Sequence, residues 1–140
     1  MRGWLALVAA LVILLSTALT GPARADDAAD IRAVIDGQIT AFRADDGDAA
    51  YGYAAPSIRE IFVDPETFMA MVRNGYQPVY RPRSVTFGRL TEENGTTLQE
   101  VYVVGPDGES YKALYSLQKQ PDGSWKINGC RIVKAAGESA

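Results

Sequence analysis

The sequence predicts an α+β domain, with N-terminal helices packed on a curved four-stranded antiparallel meander. Three observations carry this. Apolar residues recur at helical spacing through the first half of the mature region. The second half holds runs rich in Val, Tyr, Thr and Ile, separated by three turn tripeptides that each end in Gly. Composition is that of an ordinary globular chain, with 47% hydrophobic and 22% charged residues among 140, and no repeat, low-complexity segment or linker divides it.

Residues 1–25 read as a signal peptide and residues 26–140 as one domain. Arg2 supplies a positive start, and Trp4 to Leu19 is an apolar run broken only by Ser16 and Thr17. Gly21 and Pro22 stop a helix, and Ala23-Arg24-Ala25 presents small residues where a signal peptidase reads them. The run spans about 24 Å at about 1.5 Å per residue, short of a ~30 Å hydrocarbon core, so cleavage between Ala25 and Asp26 is expected rather than a retained anchor. No Cys lies nearby to carry a lipid. The expected product is periplasmic or secreted, with no membrane span in its mature form. Cleavage removes Arg2 and Arg24 and no acid, so 14 basic residues fall to 12 against 17 acidic ones, a net charge of −5. That balance argues against nucleic acid as a partner.

From Asp27 to Ala44, Ile31, Val34, Ile35, Ile39 and Phe42 make a helical stripe, and the polar Gln38 falls on the same side. Asp45-Asp46-Gly47-Asp48 ends this helix and caps the next, Ala49 to Ala55, which Pro56 stops. Ser57 and Glu60 have capping-box spacing for one more turn through Phe62. Asp64-Pro65-Glu66 is a strong start for a further helix with Phe68, Met69, Met71 and Val72 on its apolar side, closed by Asn74-Gly75.

The turns Glu93-Asn94-Gly95, Pro106-Asp107-Gly108 and Pro121-Asp122-Gly123 delimit strands over about 84–91, 96–104, 109–119 and 124–134. Asn94-Gly95-Thr96 also matches a glycosylation sequon, but the triplet is common and reads here as turn chemistry. Pro-Asp-Gly favours a three-residue loop with a bulge, pairing Gly105 with Glu109 and Gln120 with Ser124; the same loop at the first turn pairs Glu92 with Thr96, although Asn-Gly also suits a two-residue loop, which leaves the facing of the first strand open. This register gives one apolar face with Val85, Phe87, Val101, Val103, Tyr111, Tyr115, Leu117, Trp125, Ile127 and Val133. The other face carries Glu100, Tyr102, Lys112, Ser116, Gln118, Lys126 and Asn128. A slip of one residue would mix the two.

Helices followed by a meander that must be covered resemble the cone of nuclear-transport-factor-2-like and cystatin-like proteins, which include polyketide-cyclase-like and ketosteroid-isomerase-like members. Several segments resemble, more specifically, an exported bacterial family known as domain of unknown function 4864. They are Ile35-Asp36-Gly37-Gln38-Ile39 with Ala41-Phe42, Asp45-Asp46, Ala55-Pro56, Phe68 to Val72, and Asp122 to Ile127 with Gly129-Cys130. The resemblance covers most of the mature chain. It implies a Gram-negative, periplasmic setting and transfers neither an activity nor a catalytic residue. The wider fold hosts isomerases, cyclases, dehydratases and pure binding modules, so fold does not decide function.

The chain has no His and a single Cys, Cys130, which removes His-based triads, His-ligated metals, structural zinc and an intrachain disulfide. No phosphate loop or dinucleotide fingerprint occurs, and no cofactor or metal is expected. Cys130 reads as a small buried hydrophobe in a strand. The informative signal is polar residues on the apolar face. In the register above Arg89, Gln99 and Tyr115 lie abreast, Arg131 sits opposite Ala113, and Gln38 points from the first helix to the same interior. Two guanidinium groups, two amides and a phenol suit a carboxylate or phosphate. The competing reading is that these arginines reach along a sheet edge to water, with Arg81-Pro82-Arg83 a protected edge. The leading expectation is a non-catalytic module that binds a small acidic ligand or a protein partner. An isomerase- or cyclase-like enzyme would need a carboxylate on the apolar face, but Glu100 faces the polar side and Asp64 caps a helix. A homodimer through the second face is the third reading, since Leu98, Tyr102, Leu114 and Ile132 give that face apolar content.

Overall fold

The computed structural model describes residues 25–135. The expected signal segment, except Ala25 at its end, lies outside the described residues. Helix α1 (Ala25–Arg43) buries Ile31, Ile35, Ile39 and Phe42, and Gln38 is buried with them. Helix α2 (Gly47–Gly52) is capped by Asp46, whose Oδ1 accepts from the Ala49 amide at 3.1 Å. Helix α3 (Pro56–Ile61) starts on its proline with Ala55 at the cap, so the expected Ser57 capping box is not used. Pro56 satisfies the first turn by having no N–H to leave unpaired. Helix α4 (Pro65–Gly75) follows the expected pattern, with Asp64 Oδ1 accepting from Thr67 N at 2.7 Å and Phe68, Met69 and Val72 buried. A short helix α5 (Gln77–Tyr80), absent from the sequence reading, then buries Val79 and Tyr80.

The helices cover one face of a single antiparallel sheet in the order β1-β2-β3-β4: β1 (Ser84–Glu93), β2 (Thr96–Val104), β3 (Ser110–Lys119) and β4 (Trp125–Lys134). Both Pro-Asp-Gly loops have the expected bulged form. Gly105 N donates to Glu109 O at 2.8 Å and Gln120 N to Ser124 O at 2.7 Å, with Gly108 and Gly123 at φ 81° and 88°. The first turn differs. Asn94 (φ 51°) and Gly95 (φ 79°) form a two-residue loop, and Glu93, not Glu92, pairs with Thr96.

That one-residue slip would turn Val85 and Phe87 out of the core. A bulge between Phe87 and Leu90 cancels it. Leu90 stands opposite Gln99, but Phe87 meets Val101 and Val85 meets Val103, as expected. A second bulge, in β4, runs the other way. Leu117 pairs with Ile127, but Ser116 already pairs with Gly129, leaving Asn128 as the extra residue. Beyond it the alternation of β4 is inverted. Cys130 and Ile132 join the inner face, while Arg131 stands beside Leu114 and Val133 beside Lys112, both on the outside. Val133 therefore leaves the expected core, and Ile132 leaves the outer face. At the same bulge the chain before α3 runs beside β4: Ala55 N donates to Ile127 O at 2.8 Å and Ile127 N to Tyr53 O at 2.9 Å. These bonds use the edge groups of β4 where the bulge interrupts its ladder.

Candidate functional site

Of the five expected binding residues, the fold brings three into the interior and sends two to water. Gln38, Gln99 and Tyr115 are buried. Arg89 is the extra residue of the β1 bulge, with its side chain 81% exposed and a guanidinium nitrogen 3.5 Å from Glu100 Oε1 on the outer face. Arg131 is exposed because the β4 bulge reverses its facing. The expected alignment of Arg89 with Gln99 and the inward Arg131 are both corrected. The first rested on a three-residue first loop, which the two-residue turn at Asn94-Gly95 replaces, and the second on an unbroken β4, which the bulge at Asn128 interrupts before Arg131.

Gln99 has a local task. Its Nε2 donates to Glu100 O at 2.9 Å, Gly88 O at 3.1 Å and Arg89 O at 3.4 Å, the carbonyls around the bulge. Its Oε1 has no partner among the described residues. Gln38 is likewise engaged, with Nε2 donating to Ala50 O at 3.2 Å, which ties α1 to α2.

Arg43, Arg73, Arg81 and Arg83 are structural. Asp45, at φ 51° just after α1, accepts from the Tyr80 hydroxyl and from Arg81 Nη2 at 2.8 Å, and lies 3.5 Å from Arg73 Nη2. Arg81 also donates to the Phe42 carbonyl at the end of α1, where the helix dipole favours a cation. The Tyr80 hydroxyl, then Arg81 and Arg73, hold the Asp45 carboxyl below its usual range. Arg43 and Arg83 donate to the backbone carbonyls of Pro82 at 2.9 Å and Pro106 at 2.8 Å. This cluster pins α1, α4 and α5 together. The sequence signal for it was the αL-tolerant Asp at a helix end, read only as a stop.

Between α3, α4, α5 and the sheet lies a cavity of about 290 Å³. Phe42, Phe62, Phe68, Met71, Val79 and Ile127 supply most of its wall. Ala54, Gly129 and Cys130 put little volume on the opposite side, and the β4 bulge is what turns Cys130 toward it. Phe62 is held by the Tyr51 hydroxyl, which donates to its carbonyl at 2.6 Å. Beside it Ile61 and Val63 are exposed. The polar side chains on the wall are Gln38, Tyr115, Tyr76 and Cys130, and among the described residues none that lines it is charged.

Tyr115 is 1% exposed, and its hydroxyl lies beside the Cys130 thiol, its nearest polar neighbour, without accessible surface of its own. Burial, with lesser effects of Cys130 and Asp36, lifts its pKa well above that of an ordinary phenol. Burial pushes the Cys130 thiol up to about 12. Both groups are therefore protonated and neutral at pH 7, and neither is a base or a nucleophile there.

The family model for a domain of unknown function (DUF4864) matches residues 24–140. The chain belongs to the DUF4864 family. No curated protein and no solved structure matches it. The matched span begins at the end of the expected signal peptide and takes in every DUF4864 element described above, including the wall of the cavity. Among the described residues of this DUF4864 protein, no helix is long and apolar enough to cross a membrane, and no cluster of three His, Cys, Asp or Glu could hold a metal.

Proposed function

We propose that this DUF4864 chain is a non-catalytic binding module whose small, largely apolar ligand occupies the cavity between the helices and the sheet. The observation that carries the reading is the wall itself: about 290 Å³ of space lined by aromatic and aliphatic side chains with a few convergent polar groups. An acidic ligand, as the sequence suggested, is no longer favoured, because both arginines meant to hold it lie outside. The helices-over-meander arrangement supports our placing it with the nuclear-transport-factor-2-like cones. A catalytic role draws no support from Tyr115 and Cys130, since burial raises the pKa of both and favours their neutral forms.

The test is a two-dimensional NMR titration with a small hydrocarbon, ethylbenzene. Amide shifts should concentrate around Ile127 to Cys130 and α4, and should vanish in Ile58→Trp, which places an indole at the half-buried wall position. Shifts scattered over the surface, or unchanged in the variant, would remove the proposal.

A homodimer through the outer face is a second reading. Tyr102 is 43% and Val133 42% exposed there, on either side of Lys112, with Leu98 and Leu114 half-buried on the same face. Sedimentation equilibrium decides it. We also propose the periplasmic or secreted location. A mature chain starting at Asp26 keeps Asp27, whose Oδ1 accepts from Trp125 Nε1 at 3.4 Å and Lys119 Nζ at 3.3 Å. Intact mass of the exported form should correspond to that start.

A further inference from the structure

We infer that the occupant of this cavity is a single-chain amphiphile that enters tail first, with a hydrocarbon tail of up to about ten carbons enclosed and an uncharged polar head left at the mouth. The inference rests on the cavity reading above and adds a chemical class and an orientation to it.

The length of the tail follows from the volume: about 290 Å³, at about 30 Å³ for each water-sized group, holds about ten. The orientation follows from a gradient of burial along the wall. Gln38, Phe42, Phe68, Val72 and Tyr115 are buried and make a floor. Ile58 and Phe62 on one side, and Met71 and Tyr76 on the other, are half-buried, so the cavity meets water between α3 and the corner of α4 and α5. A wholly apolar occupant would leave its outer end against water there, whereas a polar group at that end keeps its hydration.

The floor gives a polar group little reason to go deeper. Gln38 Nε2 is engaged on Ala50 O. The Tyr115 hydroxyl lies beside the Cys130 thiol and has no accessible surface to offer a ligand. Around them the floor is aromatic and aliphatic, which suits a tail. The charge of the head follows from the rim. Among the described residues none that lines the cavity is charged, and Arg89 and Arg131 lie on the far side of the sheet. An ionised head drawn against Ile58, Phe62 and Met71 would lose part of its hydration with no counter-charge to replace it. A hydroxyl or a sugar loses less, and Tyr76, the polar member of those four rim residues, both gives and accepts hydrogen bonds.

The experiment is an NMR titration of the wild-type chain with 1-hexanol, 1-octanol, octanoate and octyl maltoside, each below its micelle concentration, with ethylbenzene as the control for the cavity itself. 1-Octanol should bind about fifteenfold more tightly than 1-hexanol, at about fourfold for each added methylene. Octyl maltoside, whose disaccharide is too large to share the cavity with its tail, should bind within about fivefold of 1-octanol, since its head stays in water. Octanoate at pH 8 should bind at least about tenfold more weakly than 1-octanol. Intermolecular NOEs should place the terminal methyl of octyl maltoside near Phe42 and Phe68 and its sugar protons near Met71 and Tyr76, which reads the orientation without any variant. If neither ethylbenzene nor 1-octanol binds, the cavity reading itself falls. If ethylbenzene binds but octyl maltoside does not, or the NOEs run the other way, the tail-first assignment falls while the cavity stands. Equal binding of the two alcohols would overturn the enclosed tail, and octanoate binding as tightly as 1-octanol would overturn the uncharged head.

Discussion

Replacing Gln99 with Glu should convert a pH-insensitive buried clamp into a pH-sensitive one. The side chain keeps its shape, but the amide that donates to the Gly88, Arg89 and Glu100 carbonyls becomes a carboxyl group facing three acceptors. Residue 99 has no exposed surface, and Arg89 points away to the outer face. Burial without a cation raises a carboxyl pKa by about 3 units or more above its usual ~4.3. The unfolded chain then releases this proton first, so between about pH 4.3 and 7.3 the unfolded state binds fewer protons than the folded one. Stability relative to wild type should fall as pH rises through that window, by about 1.4 kcal/mol per unit, reaching about 4 kcal/mol at its upper end. At pH 4 the protonated carboxyl can still donate to one carbonyl, and the variant should stay closest to wild type. Urea unfolding of both proteins at intervals from pH 4 to 8 measures this directly. A difference that does not change with pH would show that the carboxyl reaches water or a cation, and the clamp would be misassigned.

Tyr115→Phe removes a buried hydroxyl whose neighbour is the weakly hydrogen-bonding Cys130 thiol and should change stability by no more than about 1 kcal/mol in denaturant unfolding, whereas a larger loss would reveal a stronger partner for that hydroxyl. Arg131→Met changes an exposed outer-face residue, so its unfolding midpoint should match wild type within about 0.5 kcal/mol, and phosphate or organic acids should shift the two melting curves equally. Cys130, half-buried with its pKa pushed up to about 12, should alkylate slowly at pH 8 when native and rapidly in urea, and ethylbenzene should slow the native reaction further. Rapid native labelling, or no effect of ethylbenzene, would place the thiol away from the cavity.

Local chemistry made most elements legible. The stripe of α1, the Asp64-Pro65 start of α4 and both Pro-Asp-Gly loops each follow from a few neighbouring residues, and all four formed as expected. Asn94-Gly95 was equally local, and there the better rule was the plain preference of Asn-Gly for a two-residue turn. The bulges were different. Gly88 and Gly129 stand at the two bulges, and an isolated Gly inside a strand is a signal for one, but neither fixes how the ladder shifts, because a bulge reconciles distant constraints. In β1 it reconciles a turn with the inward demand of Val85 and Phe87. In β4 it accompanies the bridge from Ala54 and the turning of Ile132 into the core.

The first turn and the β4 bulge decide the character of the interior. With a three-residue first loop and an unbroken β4, Arg89 and Arg131 would flank Gln99 and Tyr115 and make an anion site. The two-residue turn instead sets Arg89 beside Glu100, and the β4 bulge exchanges Arg131 and Val133 for Cys130 and Ile132. Each exchange replaces a charge that would need a partner by a group that needs none, in a face otherwise composed of Val, Leu, Ile and Tyr. Arg43, Arg73 and Arg81 are used on Asp45 and on backbone carbonyls. What is left on the cavity wall among the described residues is uncharged, with Gln38, Tyr76, Tyr115 and Cys130 as its polar side chains. Reinserting charge at that wall is therefore the sharpest perturbation of the whole arrangement. Cys130→Arg should either unfold the domain or bring an anion in with it, and a folded variant whose melting temperature rises with added benzoate, where the wild type is indifferent, would show that facing of β4 alone selects neutral over acidic ligands. A folded variant equally indifferent to benzoate would show that residue 130 reaches solvent instead.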